Sequence, residues 1–550
     1  MTEKSISIGQ AIGKIATLLW LDKRDITAIY IYSIFAGLVS LSLPLGIQTI
    51  IGFVQAGSIS TSIVVLITLV LLGTFITGLL QVRQLQMIEK VEQKIFVRYA
   101  IDYTERLPLL DIQKMDKYYL PELVNRFFDV PSLQKSLHKL LVDIPAAIIQ
   151  IIFGVILLSF YHPLFIAFGI ILFLVIVLFL KFTSQRGFET SLETSDYKYK
   201  TASWLEEMAR GIKTFKYARY TTLHVSKMDS LISKYLNART SHFQVLKLQY
   251  WTLIFFKILI TAAMLILGVT LLLEQQINIG QFIAADIVIV LILGSVEKMI
   301  GNLDQIYESL TSVEKLDKIV KAPLESSGKE QLKEGSAGLS VKLSNVDFGY
   351  NNAPNVLQNL SLELKPGEWA FLHGTSGSGK TSVLRLLTGA FKKKSGNILI
   401  NDLPIQTYSS ISLRRQMGIL LSKQDIFEGT LLENITLGNK ELSRDHVLAV
   451  CEVTGLSDFV KISEDGFNTG LYPFGRRLSG KTRHRILLTR AVLLQNRLTL
   501  LENPFQYLND DEIERIVAYL KKSKTTVIIA SQDERCSRYC DQIIELKNHE

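Results

Sequence analysis

Cysteine is nearly absent from this chain: three in 550 residues, Cys451, Cys536 and Cys540, all in the last third. That scarcity argues against a disulfide framework. Cys536 and Cys540 are spaced to share a helix face and bind a metal, but no second ligand pair stands nearby. No internal repeat stands out. A cleavable signal is also missing, because the first 25 residues are polar and the first apolar run is too long for one. Finally, three short stretches, 53–60, 161–162 and 274–279, contain neither Lys nor Arg.

What the chain has in abundance is apolar sequence. Hydrophobic residues make up 48% and the mean hydropathy is +0.26, too apolar for an ordinary soluble enzyme. The excess concentrates in six runs, near 27–52, 61–81, 143–160, 164–182, 252–273 and 280–300. Each is long enough to cross a hydrocarbon core of roughly 30 Å. The net charge of +9 is compatible with a nucleic-acid binder, but its distribution points to a membrane instead. The long loops 83–142 and 183–250 hold the cations, among them Arg83, Lys90, Lys94, Arg98, Lys117, Arg186, Lys198, Arg210 and Arg219. The positive-inside rule then puts both long loops, both termini and the last third of the chain in the cytoplasm. Asp286 is a conspicuous charge inside the sixth run. It lines a cavity or makes a helix–helix hydrogen bond, since ionisable groups at such depth face protein or water.

The pattern divides the chain into a membrane domain, 1–320, a polar Gly/Ser-rich linker, 321–338, and an α/β domain, 339–550. In the last of these, Gly374-Thr375-Ser376-Gly377-Ser378-Gly379-Lys380-Thr381 fits the G-x-x-x-x-G-K-[ST] pattern in full. An apolar strand, Trp369 to Leu372, runs into it and a helical stretch, Ser382 to Leu387, runs out. Backbone N–H groups of such a loop point at phosphate oxygens, and the helix start adds positive dipole. Lys380 would reach the outer phosphates and Thr381 would hold Mg²⁺, so the expected ligand is ATP or GTP with Mg²⁺.

Several further landmarks resemble the half-transporters of the ABC exporter family. Phe427-Glu428-Gly429-Thr430 followed by Glu433-Asn434-Ile435 is similar to the run that follows the family's Q-loop. Leu478-Ser479-Gly480 begins its LSGGQ signature, and RHRILLTRA, Arg483 to Ala491, resembles the helix that continues it. Tyr350 stands where the family places an aromatic against adenine; the alternative is a core tyrosine at a strand end. Tyr118 to Arg126 and Phe215 to His224 resemble the two coupling helices that dock on nucleotide domains; membrane-interface anchoring is the competing account for the exposed tyrosines. The end of the sixth span also looks like the haemolysin-type, type 1 secretion branch. The resemblance implies a six-span type I exporter fold fused to a P-loop ABC domain, working as a dimer in a bacterial inner membrane.

The departures from the family pattern fall on the nucleotide-splitting groups. Ser422 occupies the Q-loop glutamine position, with Gln424 two residues late. The signature reads LSGKT, with Lys481 and Thr482 in place of Gly and Gln. Lys481 either strengthens a closed ATP sandwich or points to solvent. Pro473 replaces a glutamate ahead of that signature. Glu502 keeps a carboxylate for Mg²⁺ where the family has Asp, but Asn503 replaces the glutamate that follows. Asn509 aligns with the D-loop aspartate and Ser531 with the switch histidine. A neutral amide is no base, and general-base help is worth roughly 10²–10⁴-fold. The expectation is therefore an ATP grip with weak or absent hydrolysis, unless a base elsewhere compensates.

Partners implied by the resemblance are a second copy or another half-transporter, membrane lipid, and an adaptor protein with an outer-membrane channel; nucleic acid is not among them. The cargo would be a peptide, protein or other amphiphile. No peptidase domain is expected ahead of the first span. The alternative is a catalytically impaired regulatory subunit that binds ATP beside another half-transporter; a membrane-tethered P-loop kinase is disfavoured by the landmarks above.

Overall fold

The computed structural model describes residues 7–55, 61–116, 118–218, 220–350, 354–494 and 496–547. Lys117, Arg219 and most of the 53–60 loop lie outside these. The chain divides into two compact units, one of residues 1–108 and 118–322, the other of 109–117 and 323–550.

The first unit is entirely helical. It opens with α1 (Ile8–Trp20), capped by Ser7, whose hydroxyl accepts from the Gln10 N–H. Then follow α2 (Lys23–Ser40) and α3 (Ser42–Gln55). The break between α2 and α3 falls just before Pro44, which has no N–H to give the carbonyl of Ser40. After α4 (Thr61–Arg106) the chain leaves this unit for α5 (Ile112–Met115) and returns with α6 (Leu120–Asn125), α7 (Asp129–His138) and α8 (Ile144–Tyr161). It is completed by α9 (Leu164–Arg210), α10 (Ile212–Tyr217), α11 (Leu223–Leu273), α12 (Ile279–Gly301) and α13 (Leu303–Val320). Among the described residues, six helical segments are long and apolar enough to cross a membrane: 23–55, 61–109, 120–161, 164–210, 223–273 and 279–320.

These helices outrun the bilayer. α11 has 51 residues, about 75 Å at 1.5 Å per residue, more than twice a hydrocarbon core. Its buried residues, Ala238, His242, Val245, Gln249, Leu253, Phe256, Ile260, Met264, Gly268 and Leu271, recur every three or four positions. One stripe therefore faces the bundle from Ala238 to Leu271, in membrane and out of it. α4 differs. Apart from Gly73, its buried stripe runs from Gln84 to Tyr103, beyond the apolar run at 61–81.

The second unit is α/β. A five-stranded parallel sheet has the order β11-β3-β10-β9-β6, built from β3 (Trp369–His373), β6 (Met417–Leu420), β9 (Leu498–Glu502), β10 (Thr526–Ala530) and β11 (Gln542–Glu545). Its central strands are buried on both faces, which is why WAFL, LTLL and TVIIA read as continuous apolar runs. An antiparallel sheet, β2-β1-β4-β5, joins β1 (Val341–Phe348), β2 (Leu357–Leu364), β4 (Ser395–Ile400) and β5 (Leu403–Pro404), and the short pair β7 (Gly429–Thr430) and β8 (Gly470–Leu471) stands apart. The helices are α14 (Lys380–Leu387), α15 (Ser410–Arg415), α16 (Leu431–Thr436), α17 (Arg444–Val453), α18 (Ser457–Ile462), α19 (Gly480–Val492) and α20 (Asp510–Lys522).

Two segments differ from their sequence reading. The 321–338 stretch has a linker's composition, yet from Pro323 onward it is strapped to the α/β unit. Arg414 grips Glu325 with two nitrogens at 2.9 and 2.6 Å, the Leu332 N–H donates to Ser412 Oγ at 2.6 Å, and Arg497 donates to the carbonyls of Lys333 and Ala337. Part of its polar backbone is satisfied by side chains of the α/β unit. The stretch just ahead of the first candidate coupling helix is also grouped differently from its sequence reading. The stretch grouped with the α/β unit is 109–117, immediately ahead of Tyr118 to Arg126. Leu110 bridges Leu324, the Asp111 N–H donates to Pro323 O at 2.9 Å, and Gln113 Oε1 accepts from the Lys392 N–H at 3.0 Å. Leu123 and Arg126 are buried within the helical unit instead.

Candidate functional site

Parallel strands bring their carboxyl ends to one edge, and the candidate residues collect there. Ala530 pairs with Leu372 on one side and with Glu502 on the other, so β3, β10 and β9 end in one row. One step beyond that row the chain turns into the phosphate loop, Ser531 and Asn503, placing sequence positions over 150 residues apart in a single crevice.

The loop has the geometry of a phosphate cradle. Gly379 caps α14 with φ 89°. Gly374 has φ 149°, and a Cβ there would sit 2.4 Å from the Leu546 carbonyl oxygen. Thr375, Ser376 and Gly377 are exposed at the mouth, while Ser378 is buried. Lys380 Nζ folds over the loop and donates to the carbonyls of Gly374 at 2.6 Å and Thr375 at 2.7 Å. Burial holds the Lys380 pKa below the usual lysine value, against the opposing pull of Glu502. Thr381 Oγ1 donates to Glu502 Oε1 at 2.6 Å, and the other Glu502 oxygen accepts the Ser422 N–H at 2.7 Å. A hydroxyl beside a carboxylate is a hard oxygen pair of the kind that Mg²⁺ takes.

Opposite them stands a neutral pair. Asn503 has φ 49°, a conformation asparagine tolerates better than most residues. Its N–H donates to Ala530 O at 2.9 Å and its Oδ1 accepts from Ser531 Oγ at 2.9 Å. Ser531 Oγ accepts in turn from the Asp533 N–H at 3.1 Å. Neither side chain offers a basic atom. Gln424 turns back, its Oε1 accepting from the Leu421 N–H at 3.3 Å. Asn509 is occupied as the N-cap of α20.

Tyr350 is held by its neighbours. Its ring meets Phe348 and Phe391 edge-on at 4.9 and 5.9 Å, and its hydroxyl accepts from Arg385 at 2.9 Å while bonded to Ser382 Oγ at 3.0 Å. Ser479 is the N-cap of α19, accepting from the Thr482 N–H at 3.0 Å; Ser479, Gly480 and Lys481 are all exposed.

A cavity of about 280 Å³ lies between β6, β9 and α19, and its lining includes Ser422, Glu502 and Asn503. It also takes in residues that sequence reasoning did not single out, notably His484 and Tyr507. His484 Nε2–H donates to Pro504 O, 2.8 Å away, and burial depresses its pKa. The signal for it was present: Gly480, His484 and Leu487 recur at helical spacing on one face of α19.

The Phe427-to-Ile435 run turns out to be a self-supporting turn. Thr430 and Glu433 form a capping box. Asn434, fully buried, accepts the Phe427 N–H at 3.1 Å and donates to Phe427 O at 2.9 Å. Asn434→Ala is expected to cost about 1–3 kcal/mol by stranding those groups. The readout is a fall of several degrees in the melting midpoint of the α/β unit, followed by tryptophan fluorescence of the full chain. An unchanged midpoint would show that water replaces the amide.

Family models match two parts of the chain: the ABC transporter transmembrane region at residues 26–296 and the ABC transporter domain at 357–506. An export ATP-binding/permease protein of Rickettsia conorii is 30% identical over 43% of this chain and 41% of its own length. The β-(1→2)glucan export ATP-binding/permease protein NdvA of Rhizobium meliloti is 30% identical over 49% of this chain and 46% of its own. The cyclolysin secretion/processing ATP-binding protein CyaB of Bordetella pertussis is 27% identical over 63% of this chain and 49% of its own. The chain thus spans about half the length of these curated relatives. A solved bacterial Atm1-family ABC exporter with ATP bound superposes with a TM-score of 0.83 over 96% of this chain and 94% of that one, at 18% identity. Fold and site define an integral membrane protein with six spans fused to an ATP-binding domain. More specifically, the chain belongs to the ABC transporters, as a half-transporter with the type I exporter fold.

Proposed function

We propose that this chain is the ATP-binding half of a dimeric exporter that moves a peptide, protein or other amphiphilic cargo out of the cytoplasm of a bacterial cell and splits ATP slowly. The observation that carries the reading is the contrast within one crevice. The phosphate loop is intact, whereas the Asn503 and Ser531 side chains satisfy each other and hold no basic atom. Lys380 and the loop amides would hold the outer phosphates, and Thr381 with Glu502 would hold Mg²⁺, which offsets phosphate charge when bound. Ser479 and Gly480 would serve the nucleotide of a second copy, which fits their exposure on the N-terminus of α19. An exposed carboxylate within a span also favours a second copy: Asp286 is uncovered on α12 in the single chain, a costly state against lipid. Tyr217 and Tyr220, 77% and 87% exposed near α10, would dock on a partner's nucleotide domain. The relatives are named for a glucan and for cyclolysin, two chemically unlike cargoes, so a broad cargo class is the fitting statement.

The test is ATP binding and phosphate release by the full chain in lipid nanodiscs. Wild-type protein is expected to bind Mg·ATP with a low release rate, and Lys380→Ala to weaken binding at least tenfold through loss of a charge-assisted contact. Slow turnover that Lys380→Ala removes supports the exporter. Binding with no turnover at all supports a regulatory subunit paired with another half-transporter. Absence of any measurable Mg·ATP affinity overturns both.

A further inference from the structure

Four helices of the membrane unit, α7, α9, α11 and α13, enclose a polar cavity of about 260 Å³ that shares no lining residue with the nucleotide site. It lies outside the bilayer. Ser195 is 31 residues along α9 from Leu164, and His242 is the same distance from the end of α11 at Leu273, which places both about 46 Å from the outer ends of their helices. A hydrocarbon core accounts for only roughly 30 Å of that.

The charges in this cavity are unevenly satisfied. His242, 2% exposed, is fully engaged: Nδ1 bonds Thr190 Oγ1 at 2.9 Å and Nε2 bonds Asp304 Oδ1 at 2.9 Å. Lys198 Nζ is engaged with Asp129 Oδ1 at 3.0 Å. The same carboxylate has the Tyr199 hydroxyl close by, yet its Oδ2 is buried with no partner at hydrogen-bond distance. Ser195 Oγ is likewise buried and unpartnered. Asp129 is 3% exposed and Ser195 8%, so solvent does not serve them freely. At the open side stands the carboxylate of Glu308, exposed on α13. An unsatisfied buried polar group costs about 1–3 kcal/mol, more when charged. Two such acceptors, Asp129 Oδ2 and Ser195 Oγ, face one space with the exposed Glu308 carboxylate at its open side, and together they mark a site built for a donor.

We propose that this cavity binds a small organic ligand through a primary ammonium group. The three N–H donors of an ammonium match the three open acceptors, Asp129 Oδ2, Ser195 Oγ and the Glu308 carboxylate. An anion is the wrong sign for the two open carboxylates. A bare metal ion is disfavoured too, because the described residues include no group of three His, Cys, Asp or Glu placed to hold one. Arg239, on the rim with no hydrogen bond of its own, is positioned to take the carboxylate of the ligand if it is a free amino acid. A ligand there would tie the four helices together.

The experiment uses the full chain in nanodiscs, with melting midpoints followed as glycine, glycylglycinamide or spermidine is titrated in. Choline, which cannot donate a hydrogen bond, is the control at matched ionic strength. At least one primary-ammonium probe should raise the midpoint saturably while choline does not. Glycine alone acting points to an amino acid held by Arg239; glycylglycinamide or spermidine acting points to a peptide terminus or a polyamine. Glu308→Gln, at an exposed position, and Ser195→Ala, which removes no existing bond, should each weaken the response about tenfold. The proposal is overturned if no ammonium probe acts, if choline acts equally, or if both variants respond as wild type.

Discussion

Asn503→Glu is expected to raise ATP turnover of the full chain by about 100-fold or more, with ATP affinity little changed. The residue follows β9 at the edge of the 280 Å³ cavity, one position past the carboxylate of Glu502. At that place the wild-type chain offers an amide whose oxygen is already taken by Ser531. A carboxylate there supplies a base for the attacking water, and such assistance is worth roughly 10²–10⁴-fold. The phosphate loop, Lys380 and Thr381 are not altered, so the nucleotide grip should persist. Glutamate is less at ease than asparagine at a φ of 49°, and the variant should lose about 1 kcal/mol of stability. Phosphate release in nanodiscs, beside an ATP-binding isotherm, is the measurement. Asn503→Gln, which keeps the amide, should give no gain. A rate left at the wild-type level with ATP bound would sink the account of blunted chemistry and point to a base elsewhere. So would a sharp loss of rate in Asn503→Ala, which would mean the amide already takes part.

Arg485→Ala should destabilise the α/β unit by about 3–5 kcal/mol. Arg485 sits on α19 with its side chain 9% exposed, paired with Glu512 of α20, also 9% exposed. The same guanidinium donates to Gly455 O at 2.7 Å. Glu512 is not spare: its other oxygen accepts the Asn509 N–H at 3.0 Å and completes the cap of α20. Removing Arg485 leaves a buried carboxylate with half its partners, and the cost is mainly that of the stranded charge. The midpoint of the α/β unit should fall by roughly 6–20 °C, at about 2–4 °C per kcal/mol for a domain of this size. The double variant Arg485→Met, Glu512→Leu, which removes both charges, should recover most of the loss. A small shift in the single variant would mean that water takes over the ion's role.

The contrast between these two residues shows how legible the molecule was. Asn503 could be found in the sequence, because an apolar strand, an acid and the spacing to the signature fix its place. Arg485 could not. It reads as one of several cations in RHRILLTRA, and only the packing of α19 on α20 makes it a buried partner. The polar cavity was equally hidden: Asp129, Ser195, His242 and Glu308 lie on four helices and no spacing links them. Even a correct reading of composition misled at 323–338, where a linker-like stretch is tied down by Arg414 and Arg497.

By itself the sequence determined what depends on pattern along the chain. Apolar runs of bilayer length, the bias of cations between loops and an unbroken phosphate-loop motif are local or periodic features, and each carries its physics with it. The tertiary structure decided everything that depends on which distant groups meet. It set the Asn503–Ser531 hydrogen bond, the Glu502 oxygens shared between Thr381 and Ser422, the strapping of 323–338 and the unsatisfied acceptors near Asp129. Hydrogen bonds and ion pairs act over about 3 Å, whereas their partners here lie from tens to hundreds of residues apart, so only the folded chain could reveal them.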